Sequence, residues 1–117
     1  MMAELKHLHS PDVEDLAMWS PESDDFAILV QIIVGPAGSP GEESFDVTVC
    51  SSAWVTRQAA KEKIVAGRHL LIVSEYDYVL ISEYISRYVS TCQGQTWKEI
   101  TNKLSRLGHW EFEDYQE

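Results

Sequence analysis

Two spacings of apolar residues alternate along this chain, and each change of spacing marks a boundary between elements. Leu5 and Leu8 anchor a short opening strand over Glu4 to Leu8, closed by the turn signal Ser10, Pro11 and Asp12. Asp12 to Asp25 is acid-rich and broken by Ser20 and Pro21, which predicts an exposed connection pinned inward by Leu16 and Trp19. Phe26 to Val34 is a nearly continuous apolar run, too short for a typical helix, and predicts a central strand buried on both faces. Glycines and prolines at positions 35 to 41 form a hairpin connection. Phe45, Val47 and Val49 then alternate with Asp46, Thr48 and Cys50, the period of a strand with one covered face, pairing antiparallel with its predecessor.

Beyond Cys50 the period changes. Ser51 or Ser52 is placed to cap a short helix through Ala60, with Trp54 and Val55 facing inward. Leu70 to Glu75 repeats the buried-strand pattern. Asp77 caps a helix to about Thr91, in which Leu80 or Ile81, Tyr84, Ile85, Tyr88 and Val89 share the inner face. Thr96 and Glu99 have the spacing of a capping box, opening a helix whose stripe of Trp97, Ile100, Leu104 and Leu107 ends at Gly108. Trp110 and Phe112 alternate with Glu111 and Glu113, which predicts a last short strand with acids outward. The order strand, strand, strand, helix, strand, helix, helix, strand predicts an α+β fold: a mainly antiparallel sheet packed by two or three helices.

At 117 residues and 44% hydrophobic content, the chain is expected to form a single domain over residues 1–117. No apolar run is long enough to span a bilayer, and the first ten residues do not resemble a secretory signal, so the expected location is cytoplasmic. The two cysteines, Cys50 and Cys92, are expected as buried thiols rather than a redox pair.

Charge alters the picture most. The formal net charge is −10, and residues 1–50 hold ten acids against the single base Lys6. Residues 51–108 carry a small positive excess, and the tail is acidic again. Such asymmetry steers a basic protein into encounter and repels nucleic acid. It singles out Asp12, Glu14, Asp15, Glu22, Asp24, Asp25, Glu42, Glu43 and Asp46, joined near the C-terminus by Glu111, Glu113, Asp114 and Tyr115, as candidate partner-binding residues. Trp19 and Tyr115 are the candidate apolar anchors, although Trp19 also suits the core.

Catalytic signatures are missing. No Gly-x-Ser-x-Gly elbow, cysteine-protease pattern or phosphate-binding loop occurs, and His7, His9, His69 and His109 lack the spacing of a zinc site. No cofactor or metal is expected. A site built from His69, His109 and nearby carboxylates is the enzymatic or ligand-binding alternative, and an acidic adaptor mimicking nucleic acid is a third reading.

The segments ELKHLHSPDVEDL (4–16), VGPAGSPGEESFDVTVCSSAWV (34–55), GRHLLIVSEYDY (67–78) and TWKEITNKLSRLGHWEFEDY (96–115) resemble the immunity protein 8 family of bacterial polymorphic toxin systems. The resemblance implies a cytoplasmic α+β protein that neutralises a cognate toxin, often one delivered in contact-dependent growth inhibition. It implies a noncovalent complex, through the toxin's active site or an adjacent exosite, and supplies no catalytic residues. With the charge it favours a toxin bearing a basic surface, a nuclease before other classes.

Overall fold

A computed structural model describes residues 1–113. Among these, the elements follow the order β1 (Ala3–His9), β2 (Ala27–Pro36), β3 (Glu43–Ser51), α1 (Ser52–Glu62), β4 (Leu70–Val73), α2 (Tyr78–Thr91), α3 (Trp97–Leu104) and β5 (His109–Trp110). The sheet runs β1-β2-β3-β4, and β5 pairs with β3 beside β4. All pairings are antiparallel except β3 with β4, so the architecture is α+β with a mixed sheet.

Alternation builds the core directly. Ile28, Val30 and Ile32 stand opposite Val49, Val47 and Phe45, so one face of the central hairpin is a continuous apolar surface. Ile81, Ile85 and Val89 of α2 and Ile100 and Leu104 of α3 cover it. The other side of β2 is only half covered: Ala27, Leu29 and Gln31 keep partial exposure, contrary to burial on both faces. Partial exposure suits an antiparallel sheet, which needs only one packed face.

β1 carries a bulge between Leu5 and His7, leaving both Leu5 and Leu8 against the core while His7 and His9 point to the opposite face. Lys6, at the bulge, reaches the Ser39 carbonyl at 3.2 Å and so holds the tip of the β2–β3 hairpin. That hairpin also needs glycine at Gly35, where a Cβ would lie 2.0 Å from the Gly41 carbonyl oxygen.

Three caps are those the sequence predicts. Ser51 accepts from the Trp54 N–H, Asp77 from Leu80, and Thr96 from Glu99. The returning Glu99 carboxylate bonds the Gln95 N–H at 2.7 Å, one residue earlier than in the usual capping box.

Four further expectations fail. α1 buries no residue fully, and Trp54 and Val55 are only half covered, because the helix lies outside the main core cluster. β4 spans only Leu70–Val73 and is the sheet's end, so it is an edge strand and not a buried one. Tyr84 is 46% exposed and Ile81, not Leu80, faces the sheet; α2 buries a narrower stripe than its spacing suggests. β5 ends at Trp110, and residues 111–113 form a turn closed by the Glu113 N–H donating to the Trp110 carbonyl at 2.9 Å. Glu111 and Glu113 therefore do not share the outer face of a strand.

Candidate functional site

The acid-rich connection between β1 and β2 is tightly tied down. Asp15 accepts the Ala17 N–H through its side chain at 2.9 Å and the Trp19 N–H through its carbonyl at 3.0 Å, forming a tight turn. Trp19 and Phe26 pack edge-on to Tyr76, with ring centroids 4.7 and 6.1 Å from it. The Tyr76 hydroxyl donates to the Leu16 carbonyl at 2.6 Å. Burial, with help from Tyr78 and Asp15, pushes this phenol up to about 12. Ser51 holds two elements at once, accepting from the Phe26 N–H at 3.1 Å and from the Trp54 N–H at 3.2 Å.

These contacts fix the connection to the end of the sheet where β3 and β4 finish and α1 and α2 start. Glu14, Asp15, Glu22, Asp24 and Asp25 gather there. Two further acids, Glu75 and Asp77, arrive from the β4–α2 connection, and Glu75 lines the same 280 Å³ hollow as Glu22, Asp24 and Tyr76. The sequence pointed to neither, since both lie in the segment with a positive balance. Only folding brings them beside the acids of the first half.

The candidate acids have different tasks. Asp12 accepts the Leu29 N–H at 2.7 Å, and Asp25 makes a two-pronged pair with Arg57 that holds its carboxyl below the ordinary range. Glu43 accepts from the Trp97 indole, Asp46 from the Ser44 hydroxyl at 3.4 Å, and Glu113 from Arg68 with His109 beside it. By contrast, Glu14, Glu22, Asp24, Glu42 and Glu111 form no side-chain hydrogen bond or ion pair among the described residues. Nor do all these acids converge. Ala27 pairs with Cys50 and Val34 with Glu43, so the ends of the hairpin stand roughly 23 Å apart along β2 at the usual rise per residue. Glu42, Glu43, Glu111 and Glu113 therefore lie far from the Glu22 group. Asp114 and Tyr115 lie outside the described residues. Trp19 is half buried against Phe26 and Tyr76, as its core role requires.

An apolar hollow adjoins the acidic end. Leu71, Ile72, Leu80 and Tyr84 line a 410 Å³ cleft that also contains Ser74, Glu75 and Asp77 and no basic residue. Ser74 and Glu75 belong to both hollows, so acidic and apolar surfaces are continuous. Ile72 and Leu80, both in the wall of this cleft, are 53% and 61% exposed.

The histidines form two pairs. His7 and His9 lie 5.8 Å apart on the sheet face away from the helices. His69 and His109 approach to 5.9 Å, but the His69 Nε2 is 2.7 Å from the Ser105 carbonyl, a contact in which the ring donates its proton. His69 itself has φ 61°, a left-handed conformation held by that bond. Among the described residues no three His, Cys, Asp or Glu side chains are placed to hold a metal ion. Cys50 and Cys92 are free and buried, and burial raises both thiols, the opposite of what a nucleophilic thiolate requires. Among the described residues no helix is long and apolar enough to cross a membrane.

The fold is α+β, with an acidic end that adjoins an apolar cleft. The family model for Immunity protein 8 matches residues 3–115, and the chain belongs to that family. The family is one of immunity proteins, which act against a toxin. No curated protein and no solved structure matches the chain.

Proposed function

We propose that this protein neutralises a cognate toxin in the cytoplasm by forming a noncovalent, stoichiometric complex with its basic surface, and that the toxin is a nuclease. The observation that carries this reading is the acidic end: Glu14, Glu22 and Asp24 have no partner within the described residues, and Glu75 shares one hollow with Glu22 and Asp24. A nuclease must bind polyanionic substrate and so presents cationic surface, which such an end attracts and covers. The inhibitor itself performs no turnover in this reading.

The test is association of the protein with its cognate toxin domain, sought among the products of the adjacent genes, measured over a salt series. Tight binding whose association rate falls steeply with salt, and a triple Glu22→Lys, Asp24→Lys, Glu75→Lys variant slowed at least tenfold, is the expected result. Equal binding to unrelated basic proteins would favour the general acidic adaptor. Unchanged association of the variant would move the docking surface to the Glu42 end.

A second reading draws on His109, whose Nδ1 lies 3.4 Å from the Glu113 carboxylate with the His69 ring 5.9 Å away, a histidine–carboxylate pair of the kind that moves protons. Loss of protection in His109→Ala with the complex intact would favour it. Full protection would leave binding alone as the mechanism.

A further inference from the structure

We propose that the outer edge of β4 is where the toxin docks, receiving an extended segment of it as an added strand beside α2. This rests on the immunity reading and names the surface and the form of the partner.

The backbone argues first. Among the described residues β4 ends the sheet, and its strand partner lies on one side only. The Thr48 N–H donates to the His69 carbonyl, which turns His69 toward β3; alternation in the parallel ladder then turns Leu71 and Val73 inward and Ile72 outward. The N–H and C=O of Ile72 thus face away from the sheet, as a template for another chain.

Side chains argue next. Leu71 and Val73 pack against the core, so the Ile72 side chain stands on the opposite face of the strand. Leu80 and Tyr84 rise from α2 on the core side. A strand laid along β4 would be gripped between Ile72 on one face and Leu80 with Tyr84 on the other. The usual guards are lacking, since Leu70–Val73 holds no lysine, proline or other charge, whereas the opposite edge, β1, carries Glu4, Lys6, two histidines and a bulge.

Charge selects the occupant. Glu75 and Asp77 line the cleft with no cation among its walls, and Glu22 and Asp24 continue the negative surface beyond Ser74. The segment that fits alternates apolar residues with solvent-facing ones and carries Lys or Arg where it passes Glu75. A second copy of this acidic chain is a poorer match, because it would bring like charges together.

Hydrogen exchange of the full chain, alone and with the cognate toxin domain, tests the proposal together with two variants. Ile72→Pro removes the outward-facing N–H together with the isoleucine side chain while sparing the hydrogen bonds to β3, and Leu80→Lys fills the cleft with charge while leaving the backbone untouched. Expected are at least tenfold slower exchange of the Ile72 amide in the complex and at least tenfold weaker binding by each variant, with native circular dichroism. Should Ile72→Pro lose its fold, Leu80→Lys and the exchange data still decide. Full-affinity variants with an unprotected Ile72, while the wild type still inhibits, overturn the edge proposal and leave the immunity reading standing. No binding by the wild type overturns both. Concentration-dependent protection of Ile72 without toxin would make a second copy the occupant and also overturn the proposal.

Discussion

The carboxylate of Asp12 accepts the Leu29 N–H at 2.7 Å, one rung past the last β1–β2 pair, His9 with Gln31. A side chain here continues the ladder after the strand has turned away, and it anchors the start of the acidic connection. Asp12 is therefore a structural acid. Asp12→Ala should destabilise the fold by about 1.5 kcal/mol, as expected for a hydrogen bond to a charged acceptor, and Asp12→Asn should recover much of that loss. Urea unfolding of the two variants checks it; equal stability of Asp12→Ala and wild type would remove the role.

Asp25 and Arg57 couple the end of the same connection to α1. The guanidinium lowers the folded-state carboxyl pKa, so the pair's stabilisation is present above the ordinary Asp value and disappears as pH falls through the depressed folded value. In a carboxyl NMR titration Asp25 should titrate below 3.8, the ordinary value, and Arg57→Gln should return it toward that value. An unmoved midpoint in the variant would show that the pair does not form in solution.

Tyr76 titrates the other way. Its folded pKa of about 12 exceeds the ordinary 10, so its contribution is complete below pH 10 and is lost as pH rises through about 12. Burial also raises the Tyr88 phenol, so ultraviolet titration should show late-ionising tyrosine absorbance, of which the component near 12 is missing in Tyr76→Phe. The variant should also lose about 1 kcal/mol with the Leu16 hydrogen bond. Ordinary titration of all five tyrosines would contradict the packing of this corner.

Neighbours on α2 separate stability from recognition. Ile85 is fully buried and Tyr84 is 46% exposed. Ile85→Ala should cost about 2–5 kcal/mol. Tyr84→Ala should stay within about 0.5 kcal/mol of wild type. Thermal and urea unfolding compare them, and a large loss in Tyr84→Ala would mean that the side chain belongs to the core.

Gly35→Ala should cost about 2 kcal/mol, since its Cβ would collide with the backbone carbonyl of Gly41 and the hairpin must shift. Gly38, at φ 73° with open space around it, should cost only about 1 kcal/mol on the same change. A reversed order in urea unfolding would show that the hairpin relaxes freely.

Periodicity made the α+β architecture, the β2–β3 pairing and the caps at Ser51, Asp77 and Thr96 legible, because each is decided by local chemistry or alternation. Ile72 and Tyr84 were misread for a shared reason. A strand's place in the sheet and the width of a helix's covered stripe depend on neighbours that no local pattern specifies. The acidic end was half legible: Glu14, Glu22 and Asp24 stand out in the sequence, while Glu75 joins them only through the Trp19–Phe26–Tyr76 packing. Summing charge along the chain also placed Asp12, Asp25 and Glu43 among the partner-binding residues, although each has an internal partner.

The central claim, neutralisation by occupancy, is tested most directly by titrating a fixed amount of the cognate toxin domain with this protein and recording residual toxin activity. A linear fall to zero at one equivalent, with active toxin recovered after the complex is separated in denaturant, is the expected result. Inactivation by a small fraction of an equivalent, or toxin that remains inactive after separation, would mean that the protein transforms its target, and would contradict the account.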